Sequence, residues 1–261
     1  MRISLPNPTK FLEVFRSSLG ESLDIELNGI ATDSREVQKG DLYIAIAGER
    51  VDGHSFLKDV FNNGASAALV SKVFNNIQGK QILVNDTISA IGKVSTLWRK
   101  QFDLPIIGIT GSNGKTSTKE LLKHILSAKF DIHATEGNYN TSIGLPLTLL
   151  QLTSFHGASI LEMGANQPGD IKELCKIANP THGLITNVAP AHLEGFGTIE
   201  NIAKTKGALF ESLSKGVSFI NITDNQVSKL KIFGDKVTFG LTPDCDYPAD
   251  LHHDEDSKIT L

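Results

Sequence analysis

The residues best suited to chemistry lie in one run, Gly108-Ile-Thr-Gly-Ser-Asn-Gly-Lys-Thr-Ser117. A glycine-rich turn frees backbone N–H groups to face an anion, and a helix start adds a favourable dipole. Lys115 can reach the outer phosphates of a nucleotide, and the Thr116 hydroxyl is placed for a magnesium ion. Gly111, Ser112, Asn113, Gly114 and Ser117 complete the candidate ATP-binding set. The general pattern G-x-x-x-x-G-K-T has glycine where this chain has Ile109, so the segment fits a tighter variant with Gly111 and Gly114 flanking Ser112-Asn113. A loop holding Gly-Lys-Thr by chance is the bland alternative. Context speaks against it: the apolar run 104–107 reads as a strand, and an amphipathic helical pattern follows the turn.

The elements that position this turn are legible as an alternation. From residue 105, strands are expected near 105–110, 131–134, 157–162, 182–187, 217–221 and 236–239. Helices are expected near 115–129, 142–151, 168–178, 199–213 and 225–231, which argues for a mostly parallel sheet with crossover helices. Ligands of such sheets bind beyond the carboxyl ends of the strands. Glu162 ends one strand and is a candidate magnesium ligand, since magnesium prefers oxygen donors. His192 lies in the loop after another, where a metal or phosphate role competes with that of an ordinary loop histidine; Glu194 reads as structural. Asn140 and Thr141 sit in a polar, glycine-flanked loop. Its amides either contact phosphate or substrate, or make side-chain turns and cap the next helix. Lys204 and Lys206 read, from spacing alone, as solvated helix lysines. No Ser/His/Asp or Cys/His nucleophile arrangement stands out.

Residues 1–102 read as a separate small α/β unit, with a helix around Phe11 and Phe15, strands at 41–47, 67–71 and 81–84, and a helix at 56–63. A second helix from Thr87 carries Ile88, Ile91, Val94 and Trp98 on one face. The chain has 261 residues, 40% hydrophobic and 21% charged, which suits one large or two ordinary globular domains. A net charge of −4 gives no electrostatic case for nucleic acid or an anionic membrane as partner. Cys175 and Cys245 have no Cys or His at metal spacing and suit a reducing cytoplasm. Residues 1–10 lack a signal-peptide apolar core, and no run approaches the roughly 20 apolar residues of a membrane span.

Taken together, Thr110-Gly-Ser-Asn-Gly-Lys-Thr-Ser117, Glu162-Met-Gly-Ala-Asn-Gln-Pro-Gly169 and Asn187-Val-Ala-Pro-Ala-His-Leu-Glu-Gly-Phe-Gly197 resemble the Mur ligases of peptidoglycan synthesis. Gly137-Asn-Tyr-Asn-Thr-Ser-Ile-Gly-Leu-Pro146 agrees, as do Thr32-Asp-Ser-Arg35 and Gly40-Asp-Leu-Tyr-Ile-Ala-Ile-Ala-Gly48 followed by Asp52-Gly-His54. Within the family the similarity is greatest to the member acting last, which joins D-alanyl-D-alanine to UDP-N-acetylmuramoyl-tripeptide. The resemblance implies an α/β N-terminal UDP-substrate-binding domain over 1–102, then a P-loop central domain over 103–261, cut short at its C-terminal end. It also implies ATP and Mg2+ as cofactors, a cytoplasmic monomer and no membrane insertion.

Residue by residue, the resemblance gives Lys115 and Thr116 the β,γ-phosphates and magnesium, Glu162 the first magnesium and His192 a second. It makes Lys206 a carbamylated lysine that helps hold the second metal. It places Asn140 and Thr141 by the phosphate and acceptor region, and Ser34 and Arg35 near the UDP end. The family's further central residues and its C-terminal domain, which bind adenine and the incoming amine, are not in this sequence, so the chain reads as a partial enzyme. Two other readings stay open here: a related amide ligase such as folylpolyglutamate synthase, and a non-catalytic module that binds the UDP precursor or a nucleotide.

Overall fold

A computed structural model describes residues 1–48, 50–190, 193–250, 252–253 and 259–260. In chain order the strands and helices are β1 (Arg2–Ser4), α1 (Pro8–Leu19), β2 (Gly29–Ala31), β3 (Asp41–Ile44), α2 (Leu57–Asn62), β4 (Ala67–Val70), β5 (Gln81–Leu83) and α3 (Thr87–Arg99). There follow β6 (Ile106–Thr110), α4 (Lys115–Leu126), β7 (Ile132–Ala134), α5 (Gly144–Leu149), β8 (Ala158–Glu162), α6 (Asp170–Ala178), β9 (His182–Ile185), α7 (Leu193–Phe196) and α8 (Ile199–Glu211). The last are β10 (Val217–Asn221), β11 (Asp235–Gly240), β12 (Tyr247–Pro248), β13 (His252–His253) and β14 (Ile259–Thr260). They form two compact units: 1–103 with 142–154, and 104–141 with 155–261.

The first unit is built on a five-stranded sheet in the order β1-β2-β3-β4-β5, parallel except for β1. Its helices start where the sequence supplies caps. The Asn7 side chain accepts from Lys10 N–H with Pro8 in the first turn of α1, and the Asp86 carboxylate accepts from Ser89 N–H at the start of α3. Segment 142–154 differs from the expected domain cut. Helix α5 is six residues long, and every one of them is buried. The Ser95 hydroxyl of α3 donates to Pro146 O at 3.0 Å and the Trp98 indole to Leu152 O at 3.2 Å, so this excursion packs with the first unit.

The second unit carries a seven-stranded parallel sheet in the order β12-β11-β10-β9-β6-β8-β7. β6 lies between β9 and β8, so the chain order reverses across it and a crevice opens at its carboxyl end. The helix expected at 225–231 is instead one 3-10 turn, Val227–Lys229. The Asp224 carboxylate accepts from the amides of Gln226 and Val227 at 2.8 and 2.9 Å, a local turn that competes with helix propagation. β12, two residues long, was not legible at all.

Candidate functional site

The phosphate turn is shaped by two glycines. Gly114 is left-handed, with φ +78°, and precedes α4 without a side-chain cap, so the first amides of that helix have no capping side chain. A Cβ on Gly111 would collide with the Thr186 hydroxyl, so only glycine fits where the turn crosses the end of β9. That strand end braces the turn. Ser112 N–H donates to Asn187 O at 3.0 Å, Asn113 N–H to Asn187 Oδ1 at 3.0 Å, and the Thr186 hydroxyl to Asn113 O at 2.6 Å. Sequence reasoning missed Thr186 and Asn187; the signal was available, since both are polar at the carboxyl end of a strand of this sheet.

Around the turn lies a cavity of about 200 Å³ lined by Gly111, Ser112, Lys115, Asn140, Thr141, Glu162 and Lys206, among others. Lys115 Nζ donates to Gly111 O at 3.0 Å, folded over the turn. Glu162 is 3% exposed. Its carboxylate accepts from the Thr116 hydroxyl and from the Asn140 amide, both at 2.8 Å. Thr116 and Glu162 thus offer two adjacent oxygens, a donor set that fits a hard cation keeping several waters. No group of three His, Cys, Asp or Glu able to hold a metal occurs among the described residues. In the Asn140 loop the side-chain amide is spent on Glu162, the Asn140 carbonyl accepts from Gly164 N–H at 2.8 Å, no side chain caps α5, and Thr141 lines the cavity.

Lys206 departs from the reading by spacing. Lys204 is exposed, but Lys206 is 5% exposed and faces the cavity. Burial, and then the nearby Lys115 charge, push its pKa down to about 8. Ser117 is exposed and does not line the cavity. His192 lies outside the described residues.

Ser34 and Arg35 line a different cavity, of about 640 Å³, in the first unit. There Arg35 makes a bidentate pair with Asp33, at 2.9 and 2.5 Å, and holds that carboxyl well below the usual range. Tyr43 lines the same cavity and donates to Gly53 O at 3.1 Å; burial raises its pKa to about 12. The loop bearing Gly53 is anchored by His54, whose Nδ1 meets Asp52 at 2.6 Å while its Nε2 accepts from Ser71 N–H at 2.9 Å.

A parallel-sheet P-loop unit following a smaller α/β unit defines a class, and comparison with known proteins places the chain within it. Residues 26–94 match the Mur ligase family catalytic domain and residues 109–260 the Mur ligase middle domain. The chain belongs to the Mur ligase family. Among similar curated proteins is the UDP-N-acetylmuramoyl-tripeptide–D-alanyl-D-alanine ligase of Synechocystis, 42% identical over 208 residues, which are 78% of this chain and 46% of that protein. The ligase of the same name from Bacillus subtilis is 34% identical over 223 residues, 85% of this chain and 49% of that one. The chain therefore spans about half the length of these relatives. Among solved structures, MurF of Acinetobacter baumannii matches with a TM-score of 0.84 at 30% identity, covering 92% of this chain and 55% of that one. MurF of Thermotoga maritima in complex with ADP matches with a TM-score of 0.79 at 34% identity, covering 87% and 53%.

Proposed function

We propose that this chain is the precursor- and ATP-binding part of an ATP-dependent ligase that joins D-alanyl-D-alanine to UDP-N-acetylmuramoyl-tripeptide. The observation that carries this reading is the meeting of Lys115, Lys206 and Glu162 at one cavity, with the Thr116 hydroxyl bonded to the Glu162 carboxylate, in a chain whose relatives bear that activity in their names. The ADP in the related Thermotoga structure supports ATP as the nucleotide.

In this reading the helix-start amides and Lys115 hold the β- and γ-phosphates, while Thr116 and Glu162 hold magnesium. The metal, when bound, offsets phosphate charge. The tripeptide's terminal carboxylate attacks the γ-phosphorus and the bond to ADP breaks, leaving an acyl phosphate. The amine of D-alanyl-D-alanine attacks the acyl carbon, loses a proton, and phosphate departs. Closure of the site against water protects the acyl phosphate from hydrolysis.

Lys206 has a depressed pKa, so more of its amine is neutral near pH 8 than for an ordinary lysine. A neutral amine is the form that adds to carbon dioxide, releasing a proton and leaving a carbamate. That carbamate, with His192, holds a second magnesium in this proposal. Asn140 and Thr141 border the acceptor region, and Ser34 and Arg35 the UDP end. The work takes place on soluble precursors in the cytoplasm, by a monomer; no described helix is long and apolar enough to cross a membrane.

The test is calorimetric titration of this chain, once with UDP-N-acetylmuramoyl-tripeptide and once with magnesium-ATP. Saturable binding of both, with the peptide binding lost when the UDP moiety is removed, is expected. ATP binding without binding of the UDP-peptide defeats the substrate assignment and favours a related ligase.

A further inference from the structure

Two lysines, one turn apart on α4, have opposite surroundings. Lys115 lines the cavity, whereas Lys119 is 2% exposed and does not. A buried ammonium is expensive unless it is paired. Lys119 Nζ donates to Thr135 O at 2.6 Å and meets the Glu120 carboxylate at 2.8 Å, whose pKa it lowers.

The partner carbonyl is what connects this lysine to the site. Thr135 is buried just beyond β7, and its hydroxyl accepts from Glu162 N–H at 3.0 Å. Its own N–H donates to Ile160 O of β8 at 3.0 Å. Glu162 in turn takes the Thr116 hydroxyl. Thr116 and Lys119 are three residues apart on the same face of α4, so the contacts form a closed circuit: Thr116 to Glu162, Glu162 to Thr135, Thr135 to Lys119, and back along one helical turn. One arm of the circuit is the oxygen pair that fits magnesium; the other ends on Lys119.

We propose that Lys119 is a positioning residue for that pair, fixing α4 against the ends of β7 and β8 so that Thr116 Oγ1 and the Glu162 carboxylate keep their separation. The proposal rests on the reading of Thr116 and Glu162 as magnesium ligands. Magnesium tolerates little departure from octahedral geometry, so a slackened circuit affects the metal first. The nucleotide, held by backbone amides and Lys115, is affected much less.

The experiment uses this chain and two calorimetric readouts: ATP binding with EDTA, and magnesium binding to the ATP-loaded protein. Lys119→Met keeps the apolar stem and removes the donor; Lys119→Arg restores a cationic donor; Thr135→Val removes the hydroxyl from the middle of the circuit. Lys119→Met and Thr135→Val are each expected to weaken magnesium by about tenfold, the order seen when groups supporting metal ligands are removed. ATP affinity in EDTA stays within about twofold, and Lys119→Arg recovers part of the magnesium affinity. Wild-type magnesium affinity in both variants overturns the proposal. So does an equal loss of ATP affinity in EDTA, which marks a general structural role. If Lys119→Met does not fold, Lys119→Gln, a shorter neutral donor, takes its place with the same expected loss of magnesium affinity. Lys115→Ala is the control for the underlying reading: undiminished ATP binding there removes the phosphate site itself, whatever Lys119 does.

Discussion

Two cavities are built on the same seven-stranded sheet, and they are opposites. The one at the carboxyl ends of β6 and β8 is small, about 200 Å³, and lined by cations, a carboxylate and amides. The other, of about 660 Å³, lies along one face of the sheet and is lined by Ile107, Leu184, Phe219 and Phe239, with Leu122 and Leu126 of α4. The apolar one is the larger, yet its only titratable side chain is His182, whose pKa burial lowers.

The cause is geometric. Strand ends are where the chain turns and backbone amides diverge, so sequence-distant polar groups can meet there. Along the face, side chains alternate. β9 and β10 place Ile185 and Ile220 on the buried side, while Leu184 and Phe219 on the other remain half-buried. Parallel sheets normally have both faces covered. Among the described residues α8 packs against β9 and β6, and on the opposite face α4 packs against β6, β7 and β8. The large cavity thus lies where the described residues leave apolar side chains half-buried, and the small one reflects polar side chains closely paired. Volume is the poorer guide to chemistry.

Substitutions can break this contrast. Under the proposed function the largest effect is expected from Lys115→Ala: ligase turnover falls at least ~10²-fold, a barrier increase of about 2.7 kcal/mol. Phe219→Ala on the open face is expected to leave turnover within about twofold. Steady-state kinetics decides, and a comparable loss in both variants would show that the two regions act as one. The next effect is on stability. Ile109 and Leu184 are register neighbours on one face, but Ile109 is fully buried and Leu184 is not. Ile109→Ala should cost about 3 kcal/mol or more and Leu184→Ala about 1 kcal/mol. Equal urea midpoints would mean that in solution the face is covered after all.

How much of this was readable in advance depended on whether the cause was local. The phosphate turn, Glu162 at its strand end and the order of strands and helices follow from short-range pattern. Lys206 could not be separated from Lys204 by spacing, because what distinguishes them is which face of α8 meets the sheet. Lys119 gave no signal at all: a lysine followed by a glutamate on an amphipathic helix reads as solvated, and only the fold brings Thr135 O to its end. Segment 142–154 misled for a related reason, since its leucines are equally at home against α3 of the first unit. The 3-10 turn at Val227–Lys229 was lost to the Asp224 side chain, a competition that periodicity does not register.

A further expected effect concerns Lys206 and the polarity of the small cavity. Its amine titrates in the folded protein at about 8, well below the ordinary lysine value of about 10.4. Below pH 8 the amine is protonated in both folded and unfolded chains, so the full penalty of burying the charge is present and does not vary with pH. Between about 8 and 10.4 the unfolded chain holds a proton that the folded one has released, so this group makes stability rise with pH. Above that window the penalty is gone. Lys206→Met removes the titration, so the difference in unfolding free energy between wild type and variant should move in favour of wild type between pH 7.5 and pH 10. The expected shift is on the order of 1–2 kcal/mol, since solvent in the open cavity screens part of the full effect. The measurement is urea unfolding of both proteins at the two pH values in carbonate-free buffer, where titrations shared by the two cancel. A pH-independent difference would mean that Lys206 meets water or a counter-charge in solution, and the small cavity would then owe its character to Lys115 and Glu162 alone.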